Sequence, residues 1–130
     1  MTTNIYPYGQ SLKNILKLEE AAMFGISIYF LIHFQVDWWC YLLLIFGPDI
    51  SMLGYIGGSV TGAACYNIFH HKGIAIAIVM AGFLWPNTAL TIAGIILFGH
   101  SSMDRMFDYG LKTNEGFKYT HLGIIGTKKI

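Results

Sequence analysis

The stretch "LTIAGIILFGHSSMDRMFDYG", residues 90–110, decides the fold. Its first half is apolar side chains and glycine with one threonine, compatible with lipid. Its second half carries His100, Asp104 and Arg105. His100 and Asp104 lie four apart, so on an α-helix they share one face. Ionisable groups are expensive inside a membrane and turn toward a bundle interior, so this pair asks for a reason.

Working outward, the 130 residues suffice for one domain. They are 55% hydrophobic and 12% charged, with a mean hydropathy of +0.54, whereas soluble domains carry about 25% charged residues. A soluble chain of this size lacks the interior to hide so much apolar surface. The sequence therefore predicts an all-α integral membrane protein with the lipid bilayer as its first partner. A net charge of +1 and the lack of a basic patch with interleaved aromatics argue against nucleic acid. Cys40 and Cys65 fall in apolar segments and read as packing thiols, with a disulfide between them left open. The start, "MTTNIYPYGQSLKN", lacks the charged and apolar regions of a cleavable signal peptide.

Crossing a bilayer takes about 20 residues. Four stretches are candidates, at about 16–33, 38–55, 60–84 and 86–107, making residues 1–108 a four-helix membrane bundle. Pro86 suits the first turn of the fourth helix. The third is interrupted by "HHKG" at 70–73, and a single helix is favoured over two halves broken at Gly73. "GYIGGSVTGAA" offers small residues for close helix contact. An even number of spans puts Lys13, Lys17, Arg105, Lys112, Lys118, Lys128 and Lys129 on one side, out of 8 basic residues in all. The opposite loops, "FQVD" and "WPN", carry no Lys or Arg, and Trp38, Trp39 and Trp85 mark that boundary. Both termini of this multi-pass protein are therefore expected on the cytoplasmic side, or on the stromal or matrix side if an organelle is involved.

At about 1.5 Å of rise per residue, Asp49 lies roughly 16 Å and His100 roughly 21 Å from the far boundary. His70 enters roughly 15 Å from the other side. Polar groups on three helices thus converge on one layer, with Asp104 and Arg105 beyond it. Pro48 frees a backbone carbonyl one turn earlier and kinks the second helix. Asp49, His70, His100 and Asp104 offer two imidazoles and two carboxylates, a set suited to divalent zinc, iron or manganese. Haem between His70 and His100 is disfavoured, because no second His pair reinforces it. His100 with Asp104 also reads as a proton-transfer pair. Tyr66 pairs with His70, and Asn67 with His71, at i, i+4. Arg105 is expected to pair with Asp49, Asp108 or an anionic head group.

The tail from residue 109 to 130 is too polar to span and too aromatic for plain disorder, and Gly110 reads as the helix stop. Its Phe117, Tyr119, Leu122, Ile124 and Ile125 could dock it at the interface, bringing Lys112 and His121 over the polar layer.

"PDISMLGY", "YNIFH", "HSSMDRMFDYGLK" and "FKYTHLG" resemble the recurring blocks of a family of small bacterial four-span membrane proteins, domain of unknown function 4260. The resemblance runs from about Leu18 to Gly123. It implies an integral membrane protein and supplies no activity. By match to its blocks it implies Asp49, Ser51, Tyr55, Asn67, His70, His100, Asp104, Arg105, Lys112, Thr120 and His121 as candidate positions.

The leading expectation is a membrane-embedded enzyme acting on a lipophilic small molecule by isomerisation, cyclisation or metal-assisted chemistry. Asp49, His70, His100 and Asp104 would be its catalytic groups or metal ligands. Tyr55, Tyr66, Asn67, Arg105, Lys112 and His121 would bind substrate, with Arg105 and Lys112 on an anionic end. Two other classes stay open: a proton-coupled carrier, oligomeric because four short helices enclose little volume, and an accessory subunit packed against partner helices. "GxSxG", "HExxH" and a P-loop are all missing, so the reaction type is not legible.

Overall fold

In the computed structural model of the protein, residues 9–126 are described. Lys128, Lys129 and the first half of the polar start lie outside them. The chain is all-helical apart from a small hairpin in its tail. Helix α1 runs from Gln10 to His33, longer than the span expected from 16, because its charged first turns are helical too. Gln35, at φ 51°, turns the chain into α2, Trp38–Phe46. The α-helix ends there, where Gly47 and Pro48 open a 3-10 helix from Gly47 to Gly57. Runs of 3-10 helix this long are uncommon and mark strain or function.

Gly58, at φ 102°, reverses the chain into α3, Ser59–His70. The third apolar segment is not the single helix expected from sequence. His71 adopts extended dihedrals, and its side chain caps α4, Lys72–Leu84, by accepting from the Ile74 amide at 3.3 Å. The two helices bend by 49° at this break. Pro86 also lies outside its helix, since Asn87 caps α5, Thr88–Met106, through the Leu90 amide at 3.1 Å. Helix α5 stops before Gly110, at a turn where Asp108 takes φ 63°. In the tail, β1 (Tyr119–Thr120) pairs antiparallel with β2 (Gly123–Ile124).

Helix α5 is the axis of the molecule, packed against each of α1 to α4. Two glycines set how closely α4 approaches it. A Cβ on Gly82 would lie 2.7 Å from the Thr91 amide nitrogen, and one on Gly94 would lie 2.7 Å from that of Val79. Helices α1 and α5 run antiparallel, so Lys13 and Lys17 reach Asp108 at 3.0 and 3.2 Å. That end of the bundle also holds Arg105 and His121. Trp38 and Trp85, both exposed, flank the opposite ends of α1 and α5.

By length and composition, one helix among the described residues can cross a membrane, Trp38–Gly57. The bent pair α3–α4 makes a second if taken as one span. Helices α1 and α5 do not qualify: Lys13, Lys17, Glu19 and Glu20 occupy the first half of one, and His100, Asp104 and Arg105 the end of the other. The interior is mixed, with buried polar groups beside an apolar core of Leu31, Cys40, Leu44, Ile95 and Ile96. Ser27, His70, Thr91, His100, Ser101 and Ser102 are nearly inaccessible, while Phe46, Ile50, Leu53 and Ile56 are exposed. Cys40 and Cys65 are free thiols.

The close α4–α5 contact predicts a contrast between two glycines. Gly94→Val forces backbone apart and destabilises by at least the 1–3 kcal/mol of about one overpacked site. Gly25→Ala enters open space on α1 and is neutral or stabilising by up to about 1 kcal/mol. Thermal unfolding of both variants in one detergent, followed by circular dichroism, checks the order.

Candidate functional site

Four side chains from three segments meet inside the bundle. The 3-10 helix supplies Asp49, α3 supplies His70 at its last position, and α5 supplies His100 and Asp104. One ligand atom from each lies within 4.8 Å of every other. His100 Nε2 is 3.1 Å from Asp49 Oδ1 and 3.5 Å from Asp104 Oδ2. His70 Nε2 is 3.4 Å from Asp49 Oδ1 and 3.3 Å from Asp104 Oδ2.

The backbone orients both rings. Pro48 has no N–H to give the carbonyl of Leu44, four residues earlier. That carbonyl instead accepts from His100 Nδ1 at 2.9 Å. His70 Nδ1 donates to the carbonyl of Tyr66 at 2.8 Å. A carbonyl only accepts, so each Nδ1 carries the proton. In the neutral ring, Nε2 then presents its lone pair. The Tyr66 hydroxyl donates to Asp104 Oδ2 at 3.0 Å, and its ring stacks on His70 with centroids 3.7 Å apart.

With neutral imidazoles, four lone-pair donors therefore face one another at close range. The Nε2 of His70 is buried without a hydrogen-bond partner. Such a cluster is stable when protons or a cation sit between its members. The four His–carboxylate separations fit a cation: ligands 2.0–2.1 Å from a tetrahedral ion lie about 3.3 Å apart. A backbone acceptor on the second nitrogen of each His is the usual outer support of a metal-bound imidazole. Neither thiol belongs to the cluster, so the donor set is nitrogen and oxygen. That set suits zinc, iron or manganese rather than soft ions.

The helix break serves the same layer. With α3 ended at His70, its carbonyl lacks a helical partner, and Arg105 Nη2 donates to it at 3.2 Å. Arg105 is thus not paired with Asp49 or Asp108, as its sequence position suggested, because Lys13 and Lys17 take Asp108. Lys72, next to the break, pairs with Glu20 and lies 5.8 Å from the Phe98 ring centroid.

The tail folds over the cluster from the Tyr66 side. Asn67 clasps it, donating to the Lys112 carbonyl at 2.9 Å and accepting from the Lys112 amide at 2.6 Å. Lys112 Nζ lies 4.7 Å from the Tyr66 ring centroid and 4.0 Å from that of Phe117. Burial pushes this amine below the usual lysine range, against the pull of Asp104 and Asp49. Burial and the neighbouring Arg105 charge likewise lower the His121 imidazole.

Of the residues singled out in the sequence, Asp49, His70, His100 and Asp104 come together, with Tyr66 and Lys112 against them. Tyr55 does not join them; its ring packs on Phe117 and its hydroxyl is buried without a partner. His121 accepts from the Leu111 amide at 2.8 Å and lines a separate charged pocket with Arg105. Ser51 bonds the Pro48 carbonyl at 2.7 Å. Thr120 closes the hairpin turn by donating to Gly123 at 2.7 Å. The Leu44 carbonyl and Glu20 act at this layer without having been identified individually; a proline four residues on was the signal for the first. Asn67→Ala leaves both polar groups of Lys112 unpaired and releases the tail. Trypsin cleavage after Lys112 then accelerates, by about tenfold for a loss near 1.4 kcal/mol.

No curated protein and no solved structure matches the chain. One family profile does, over residues 13–125, which include all four ligand candidates and the clasped tail. The chain belongs to that family, described as Domain of unknown function (DUF4260).

Proposed function

We propose that the chain is a small integral membrane enzyme in which Asp49, His70, His100 and Asp104 hold a divalent metal ion that acts on a lipophilic substrate. One observation carries the reading: two imidazoles, each with Nδ1 committed to a carbonyl, turn Nε2 toward two carboxylates at 3.1–3.5 Å. The apolar Trp38–Gly57 helix, the bent α3–α4 pair and the polar interior support membrane insertion. Basic groups at one end of the bundle and tryptophans toward the other support a four-span bundle with cytoplasmic termini in the bacterial inner membrane.

A bound ion would supply Lewis acidity toward a carbonyl or phosphoryl oxygen, or a water activated at neutral pH. The chain's own groups do the rest. Tyr66 orients Asp104, and Leu44 orients His100. Arg105 secures the α3 terminus rather than touching substrate, while Lys112 is placed to meet an anionic group entering beside Tyr66. A second, metal-free acid–base reading takes the 3.1 Å between His100 Nε2 and Asp49 Oδ1, within hydrogen-bond range, as a proton held between ring and carboxylate.

Expressed in bacteria, the chain stays in the membrane fraction through a carbonate wash. Extracted in mild detergent, it carries close to one divalent ion per chain by elemental analysis. His70→Ala and His100→Ala lose the ion. Tyr66→Phe keeps the four ligands and weakens zinc affinity by about 10- to 100-fold. A folded, metal-free protein that takes up neither zinc nor cobalt overturns the metal reading and leaves proton chemistry.

A further inference from the structure

We propose that the charged pocket at the end of the bundle opposite Trp38 and Trp85 binds a phosphate group through Arg105, Lys17, Lys13 and the imidazole of His121. The pocket is separate from the ligand cluster, none of whose four residues lines it. Three segments converge there. Helix α1 brings Lys13, Lys17 and Glu20, α5 and its terminal turn bring Arg105 and Asp108, and the tail brings His121. Charged cations outnumber carboxylates three to two in the lining, and Lys72 takes one of those carboxylates, Glu20, from outside it. The other, Asp108, is shared by Lys13 and Lys17 through one oxygen, Oδ2. Arg105 enters no ion pair among the described residues. Its guanidinium carries five N–H donors, and the His70 carbonyl accepts from Nη2.

His121 is fixed as a further donor. Its amide donates to the Leu111 carbonyl at 3.0 Å, and its Nδ1 accepts from the Leu111 amide at 2.8 Å. An accepting Nδ1 leaves the proton of the neutral ring on Nε2. Gly110 makes room for this placement, since a Cβ there would lie 2.6 Å from His121 Nδ1. The donors define the occupant. An excess of ammonium and guanidinium repels a cation and attracts an anion. A planar carboxylate is satisfied by one guanidinium fork, whereas donors carried by three separate segments suit the several oxygens of a tetrahedral anion. The cavity measures about 120 Å³, the liquid volume of about four waters. It admits a phosphate group and leaves an acyl chain outside. In the membrane orientation proposed above, this end meets the interface, so the phosphate belongs to a lipid head group or to a soluble ion.

Isothermal titration calorimetry on the full chain in an uncharged detergent tests this. The probes are inorganic phosphate, dihexanoyl phosphatidate and acetate, at one ionic strength. The expected result is saturable binding of a phosphate probe, with acetate weaker by about tenfold or more. Lys17→Gln weakens phosphate binding by about tenfold, and the fold persists because Lys13 still holds Asp108. Arg105→Lys keeps the charge and a donor for the His70 carbonyl but loses the fork, and weakens binding by about as much. Lys118→Gln removes the same charge from an exposed residue outside the pocket and changes affinity by less than about twofold. Phosphatidate bound more tightly than inorganic phosphate assigns the group to a lipid, and equal or reversed affinities assign it to a soluble ion. The proposal is overturned if neither phosphate probe binds or if acetate binds as well. It is equally overturned if Lys17→Gln and Arg105→Lys change nothing, as they would for phosphate held by an ion at the cluster.

Discussion

The hydrogen bond from His100 Nδ1 to the Leu44 carbonyl, 2.9 Å long, is the contact on which the rest of the site depends. It exists because Pro48 cannot supply the amide that an uninterrupted helix would offer there. A backbone defect in one apolar segment thereby sets the tautomer of a histidine in another. The same proline opens the 3-10 helix that carries Asp49 to His100. One residue without an N–H thus aligns two of the four ligand candidates. The second break, at His71, does comparable work: it frees the His70 carbonyl for Arg105 and ends α3 with His70 facing Asp104.

Both defects lie next to apolar segments, where unpaired backbone groups are costly. In each case a side chain from α5 answers the orphaned carbonyl, which explains why that helix ends in polar residues. The interior is correspondingly polar, with Ser101 and Ser102 fully buried beside His100. Close approach of α4 at Gly82 and Gly94 keeps this interior narrow. Rigidity follows from the same arrangement, because each ring nitrogen and each carboxylate is committed either to the backbone or to the cluster. Such preorganisation is what a metal centre requires, since ligands fixed beforehand lose little freedom on binding.

Much of this layer was legible in the sequence. Asp49 after a proline, His70 and His100 were placed in one layer, with Asp104 a helical turn beyond His100, and the structure brings those four residues together. The proline's freed carbonyl was also legible, though not its partner, since 56 residues separate His100 from Leu44 and periodicity carries no pairing. The break at His71 was not legible. "HHKG" suggested Gly73 as the weak point, yet Gly73 is helical and the extended residue is a histidine whose ring caps the next helix. Tertiary partners, Arg105 and Glu20, select that site. Asn67 likewise read as a neighbour of His71 and a substrate-binding group, whereas its partner is the tail. The long 3-10 stretch was hidden because "ISMLGYIG" has the composition of a continuing apolar helix.

The central claim is that these four side chains form the first coordination shell of one ion. X-ray absorption fine structure on the zinc-loaded protein in lipid nanodiscs tests it most directly. The account predicts a shell of mixed nitrogen and oxygen at about 2.0–2.1 Å, with the outer scattering of two imidazole rings, falling to one ring in His70→Ala. A shell of oxygen atoms alone, or a spectrum unchanged by replacing His70 and His100, would contradict it.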